Sequence, residues 1–158
     1  MLRIAIDGPG GAGKSTIAKL VGDKLGLEYI DTGAMYRAVG LKLNREGIKP
    51  DDLISISNVL EETTIDFVNG KIILDGDDVS DIIRTQEISK FASIYSQIPE
   101  VRSKLVDIPR RIAAGKSVTM EGRDIGPNVL RDTELKAFLL ADSMVRASRR
   151  YVEPMSNG

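Results

Sequence analysis

Apolar and polar positions along this chain change period several times, and each change marks an element. Leu2-Arg3-Ile4-Ala5-Ile6 is a short β-branched apolar run, the pattern of a buried strand, and it leads into a glycine-rich stretch at Gly8. From Thr16 to Leu25 the apolar residues Ile17, Leu20, Val21 and Leu25 recur at helical spacing, with Gly26 as the stop. Leu27-Glu28-Tyr29-Ile30 predicts a second strand, ending at Asp31-Thr32-Gly33. Ala34 to Arg45 carries Met35, Val39 and Leu43 at helical spacing and closes at Gly47, which makes Thr32 the expected N-cap. Asp51 to Glu62 predicts a further helix on Leu53, Ile54, Ile56, Val59 and Leu60.

The period then shortens to two. Thr64 to Val68 and Lys71 to Leu74 flank Asn69-Gly70, a strong hairpin signal, and Val79 marks a further short strand. A hairpin set into helix–strand alternation predicts a small lobe rather than part of the main sheet. Gln86 to Gln97 and Pro99 to Ala114 read as two helices, the second opened by Pro99 and closed by Gly115. Ser117 to Glu121 returns to strand character, Glu134 to Leu140 is another apolar strand, and Asp142 is the expected N-cap of a helix carrying Arg146, Arg149 and Arg150.

The stretch between the first strand and first helix is Gly8-Pro9-Gly10-Gly11-Ala12-Gly13-Lys14-Ser15, a complete phosphate-binding P-loop. Its glycines let consecutive backbone N–H groups turn inward on an anion, along a path that a β-carbon obstructs. The helix beginning beside Gly13 adds its positive dipole end to the same spot. Lys14 supplies a mobile charge for the β- and γ-phosphates, and Ser15 a hydroxyl for Mg²⁺. The alternative is a glycine-rich turn with no ligand. Strand, loop and helix in the right order favour nucleoside triphosphate binding. The expected fold is α/β: a three-layer P-loop NTPase fold with a parallel central sheet, helices on both faces and a small β-rich insert.

Composition narrows the chemistry. The chain has 158 residues, 42% of them hydrophobic, and a formal net charge of -1, so it has no basic field for nucleic acid. It contains no cysteine and no histidine. That removes disulfides, thiolate or imidazole metal sites and histidine acid–base catalysis, but phosphoryl transfer rests on positioning and charge and loses nothing. The amino terminus runs straight into the first strand without a signal peptide, and no apolar run is of membrane length, so the expectation is a cytoplasmic protein without membrane partners.

Beyond the loop, Arg37 lies near the start of its helix, where a cation is unfavourable to the helix itself. It is either a solvated surface charge or a guard for a second phosphate, and its position after the second strand of a P-loop chain favours the latter. Glu121, at a strand end, is placed to hold waters around Mg²⁺. Arg123 and Asp124 follow it between two glycines; they either pair with each other, cap the next turn or belong to a site. Arg146 and Arg150 share one helix face, and spacing alone does not decide between a solvent stripe and a phosphate clamp.

Six blocks then define a resemblance. Ile4-Ala5-Ile6-Asp7-Gly8-Pro9, Asp31-Thr32-Gly33-Ala34-Met35-Tyr36-Arg37, Asp78-Val79-Ser80, Ile83-Arg84-Thr85-Gln86-Glu87, Pro99-Glu100-Val101-Arg102 and Glu121-Gly122-Arg123-Asp124-Ile125-Gly126 together resemble bacterial cytidylate kinases. The resemblance implies transfer of phosphate from ATP to CMP or dCMP, with Mg²⁺, in pyrimidine nucleotide metabolism. It implies that Gly8 to Thr16, with Gly10, Gly11, Ala12 and Gly13 at the centre, hold the ATP phosphates. Lys14 then contacts the transferred group. Thr32, Tyr36 and Arg37 line the CMP site. Ser93, Arg102 and Asp124 read the cytosine edge, Arg123 lies by the acceptor phosphate, and Arg146 and Arg150 lie over ATP. The implied organisation is one domain, with core 1–61 and 99–150, a CMP-binding insert at about 62–98 and the start of a lid at about 151–158, in a monomer.

Two departures accompany it. Pro127-Asn128-Val129-Leu130-Arg131 replaces a more apolar run usual after the Gly126 position. After Arg150-Tyr151 the family continues through a lid, a last strand and a closing helix, whereas this chain ends at Pro154-Met155-Ser156-Asn157-Gly158. The expectation is turnover well below the ~1–100 s⁻¹ usual for kinases, and poor stability. A nucleotide-binding module impaired in catalysis, or a P-loop kinase for another small molecule, stays open beside the CMP kinase reading.

Overall fold

The structure is a computed structural model and describes residues 1–140. The expected Asp142-capped helix, Arg146, Arg150 and the start of the lid lie outside the described residues. The chain divides into two compact units, Met1–Asp31 with the residues from Arg110 onward, and Thr32–Pro109.

The first unit is built on four parallel strands, β1 (Arg3–Asp7), β2 (Glu28–Asp31), β6 (Val118–Gly122) and β7 (Leu135–Phe138), in the order β2-β6-β1-β7. Ile6 lies opposite Glu121, Asp31 opposite Glu121 as well, and Asp7 opposite both Gly122 and Phe138. This register brings three acids to the carboxyl end of the sheet. The two inner strands are the buried ones: Ile4, Ala5, Ile6, Val118, Thr119 and Met120 are all in the core, while Leu135 and Phe138 at the β7 edge are exposed. The parallel sheet with flanking helices is the expected α/β P-loop fold.

Helix α1 (Lys14–Leu25) forms as its spacing predicts but buries a different face. Ile17, Leu20 and Leu25 are exposed, and the helix meets the sheet through Ala18 and Gly22. The reason is steric: a β-carbon at Gly22 would sit 2.9 Å from Thr119 Cγ2, so only a residue without one lets helix and strand approach this closely. Val21, Leu27 and Tyr29 pack beside that contact.

In the second unit, α2 (Thr32–Arg45) buries Met35, Ala38, Val39, Leu41 and Leu43, and packs against α4 (Gln86–Tyr95), where Gly40 would place a β-carbon 3.0 Å from the Ala92 nitrogen. Thr32 is the first residue of α2 rather than its cap, a shift of the boundary by one position. Helix α3 (Leu53–Glu62) is capped by Asp52, whose carboxylate accepts from the Ser55 N–H at 3.1 Å. Strands β3 (Ile65–Val68), β4 (Lys71–Leu74) and β5 (Asp77–Asp78) form a separate antiparallel sheet. Its hairpin turns at Asn69 (φ 52°) and Gly70 (φ 77°), the two left-handed residues that an Asn-Gly loop supplies at low cost. The short strand expected at Val79 falls on Asp77–Asp78 instead, and Val79 is buried beyond it. Helix α5 (Pro99–Gly115) contains Pro109.

Candidate functional site

Backbone geometry makes the P-loop. Gly8, Gly11 and Gly13 hold φ values of 152°, 78° and 92°, which side chains with a β-carbon adopt only under strain. Gly8 has a second reason to be glycine, since a β-carbon there would lie 2.5 Å from the Leu139 carbonyl oxygen. Gly13 in its left-handed conformation immediately precedes Lys14, the first residue of α1. The first turn of α1 holds no acid. Its N–H groups therefore meet no competing side-chain anion from that turn.

Three side chains complete the loop. The Lys14 ammonium donates to the Pro9 carbonyl at 3.2 Å, folding over the loop. The Ser15 hydroxyl donates to Glu121 Oε1 at 2.9 Å, which joins the loop to the end of β6. The Tyr29 phenol, from β2, is hydrogen-bonded to both Ser15 and Glu121. Glu121 is buried; desolvation and the neighbouring Asp31 charge push its carboxyl up to about 7, against the bonds from Ser15 and Tyr29 and the charge of Lys14. Burial lowers the Lys14 ammonium below the usual lysine value, with Arg123 acting in the same sense and Glu121, Asp31 and Asp7 opposing it. Arg123 is thus within electrostatic reach of the P-loop lysine.

Asp7 is the residue that sequence reasoning missed. It is buried at the end of β1, and its carboxylate accepts from the Ile125 N–H at 2.6 Å and the Gly126 N–H at 2.8 Å. The last residue before the P-loop therefore anchors the turn that follows Arg123 and Asp124. A β-carbon at Gly126 would crowd Asp7 Oδ2 at 3.2 Å. An acid following the apolar run Ile4-Ala5-Ile6 at the strand end was the available signal.

Arg123 and Asp124 are exposed at the carboxyl end of β6. The two bland alternatives for them fail: Asp124 makes no side-chain cap bond, and among the described residues no Arg123–Asp124 ion pair forms. The turn they lead into is one of π type, Ile125–Val129, in which the Leu130 N–H reaches the Ile125 carbonyl at 2.7 Å.

The second unit holds the other candidates. Thr32 is buried at the start of α2, and Tyr36 and Arg37 are half-buried in the next turn. Ser93 and Arg102 are exposed, and the Ser93 hydroxyl donates to the Ser89 carbonyl at 3.1 Å, which leaves its oxygen as an acceptor. The structure thus brings together Lys14, Ser15, Glu121 and Arg123 in the first unit, and Thr32, Tyr36 and Arg37 on one helix of the second.

A glycine loop with a folded-over lysine, and a hydroxyl bonded to an acid at the neighbouring strand end, define a P-loop phosphate-binding protein. Comparison with known proteins narrows the class. A family model described as Cytidylate kinase matches residues 4–158. The chain is 52% identical over 157 residues to a cytidylate kinase of Caldanaerobacter subterraneus subsp. tengcongensis, a match covering 99% of this chain and 70% of that relative. It is 49% identical to a cytidylate kinase of Fervidobacterium nodosum, covering 96% and 68%, and 45% identical to one of Clostridium perfringens, covering 100% and 73%. The chain belongs to the cytidylate kinase family.

Proposed function

We propose that this chain transfers the γ-phosphoryl group of ATP to CMP or dCMP, giving ADP and CDP or dCDP. Family membership supports the acceptor, and the observation that carries the phosphoryl chemistry is the 2.9 Å bond joining Ser15 of the P-loop to Glu121 beside Lys14. The chemistry needs charge neutralisation and alignment more than a strong base, because the transferring group spreads its charge over three oxygens.

Gly8 to Thr16 hold the donor phosphates through backbone N–H groups, and Lys14 follows the transferred group. Arg37 and Arg123 neutralise charge on the acceptor phosphate and the transferring group. Thr32 and Tyr36 line the acceptor site. Asp124 accepts from the cytosine amino group, Arg102 donates to the ring acceptors, and the Ser93 oxygen is free to accept. Arg146 and Arg150 cover the donor. Residues 62–98 form the acceptor-binding insert.

The donor set fits Mg²⁺: a hydroxyl and a carboxylate, both hard oxygen ligands, meet at the loop, and among the described residues no group of three or more His, Cys, Asp or Glu offers a competing metal site. Ser15 would hold the ion and Glu121 would orient its waters. Held there, such an ion would supply positive charge to offset that of the donor phosphates. No helix among the described residues is long and apolar enough to cross a membrane. We read the protein as a cytoplasmic monomer.

The test is ADP release against CMP, dCMP, UMP, AMP and shikimate, with calorimetric binding of ATP and CMP alongside. Turnover confined to CMP and dCMP is expected. Binding of both nucleotides without turnover selects a nucleotide-binding module instead, and turnover with shikimate overturns the nucleotide acceptor.

A further inference from the structure

Pro127 to Arg131, the segment that follows Gly126, holds none of the residues assigned to the transfer chemistry. Val129, Leu130 and Arg131 from this segment help to wall a cavity of about 310 Å³, completed by Arg3, Arg110, Ala113 and Asp132. All of these residues belong to the first unit. The cavity lies at the far end of the sheet from the P-loop. Arg3 opens β1 and Asp132 precedes β7, whereas the P-loop follows the other end of β1. At about 3.3 Å per residue, a five-residue strand separates the two by roughly 16 Å.

The arginines here are held in place by backbone. Arg110 Nε donates to the Val129 carbonyl at 3.3 Å, and one of its terminal nitrogens to the Asn128 carbonyl. Arg131 Nε donates to the Pro127 carbonyl at 3.1 Å. A terminal nitrogen of Arg3 donates to the Asp132 carbonyl at 3.2 Å, and its Nε lies 3.7 Å from Glu134. These bonds fix the forks while spending few of the five N–H donors each guanidinium carries. Among the described residues, neither Arg110 nor Arg131 has a carboxylate partner. Arg110 and Arg131 therefore line one depression as cations without a carboxylate partner, beside an Arg3 paired with Glu134, the carboxylate of Asp132, and the apolar Ala113, Val129 and Leu130. Preoriented forks lose little side-chain freedom on taking an oxyanion bidentately.

We propose that this cavity is a second anion site, separate from the P-loop, that takes a small organic phosphate. Its phosphoryl group sits on the Arg110 and Arg131 forks, its carbon skeleton against the apolar side chains, and a hydroxyl donates to Asp132. The volume stands at the low end of the ~300–1,000 Å³ range of ligand pockets, which suits a molecule of a few carbons rather than a nucleoside triphosphate.

Lys14→Ala removes the P-loop cation and weakens phosphate binding there without abolishing it, so the Arg131 and Arg45 substitutions made in that chain assign the binding that remains. Calorimetric titration of that variant with glycerol phosphate is expected to show one equivalent bound. Adding Arg131→Ala or Arg131→Glu weakens it at least tenfold, and adding Arg45→Ala, an exposed arginine of the other unit, moves it less than twofold. Asp132→Asn weakens glycerol phosphate but not inorganic phosphate. Arg131 is exposed and makes a single hydrogen bond, so its variants are expected to melt with the parent. Three results overturn the proposal: no saturable binding to the Lys14→Ala chain, binding indifferent to both Arg131 substitutions, or equal weakening by Arg45→Ala.

Discussion

Glu121 of the first unit and the capping acids of the second are held in opposite ways. In the first unit Glu121 is buried and held up to about 7 by desolvation and the charge of Asp31, whereas Asp7 secures a turn through two backbone N–H groups. In the second, Asp52 caps α3 through Ser55, Asp78 accepts from Ser80, and Asp75 is bonded to Lys42 at 2.6 Å; all three titrate below their usual value. For Asp75 burial opposes this, and the bonds from Lys42 and Thr64 outweigh it. Acids in the second unit secure chain ends and turns, and folding favours their charge. The Glu121 charge is disfavoured by its surroundings, an arrangement that stability alone does not select and that a bound cation relieves.

Four measurements break or sharpen this contrast. Lys14→Ala should have the largest effect, a loss of roughly 10³-fold in turnover with little change in melting, because in the fold it gives up an exchangeable contact to Pro9 and a charge whose burial works against its attraction to Glu121. Retained turnover would remove the phosphate role from the loop. Glu121→Gln should raise the Mg²⁺ concentration needed for tight ATP binding by ~10–100-fold while leaving metal-free binding unchanged. An unchanged Mg²⁺ requirement means that the acid serves packing alone.

Asp7→Asn comes third. The amide keeps one acceptor but turns its NH₂ toward a buried N–H, so denaturant unfolding should show a loss of about 1–2 kcal/mol. Gly126→Ala, which crowds the same carboxylate, should not add to it in the double variant. Full additivity separates the two sites. Asp75→Asn is the smallest, below about 1 kcal/mol, since this pair is partly open to solvent. The Asp75 contribution is present above its unfolded pKa of 3.8 and is lost as pH falls through the lower folded value. The variant should therefore lose less stability than the parent on acidification below about pH 4; identical acid limbs in denaturant melts would show that the Lys42 pair adds nothing.

Much of this architecture is legible in local pattern. The P-loop, the Asn69-Gly70 hairpin and the alternation of strands and helices are written in consecutive residues, where spacing and turn chemistry operate directly. What escaped depends on distant partners. The buried face of α1 is chosen by Thr119 meeting Gly22, not by the exposed Ile17 and Leu20, so apolar spacing found the helix and misjudged its contact. The Asp7 anchor crosses 118 residues, and no periodicity reports such a bond. Of the site, Lys14, Ser15, Glu121 and Arg123 could be named from sequence because each sits at a strand end or in the loop. Arg146 and Arg150 lie outside the described residues.

The Asp7–Gly126 contact has a bearing on recombination. A crossover anywhere between these positions takes the carboxylate from one parent and the turn it must fit from the other. Chimeras then keep this anchor only between parents that share both, an aspartate at the first position and a glycine at the second. A donor loop transplanted as a cassette from residues 8 to 16 keeps its own chemistry but inherits a foreign anchor. Library design on this scaffold therefore has one long-range linkage to respect, and swaps that move the two segments together are the ones expected to fold.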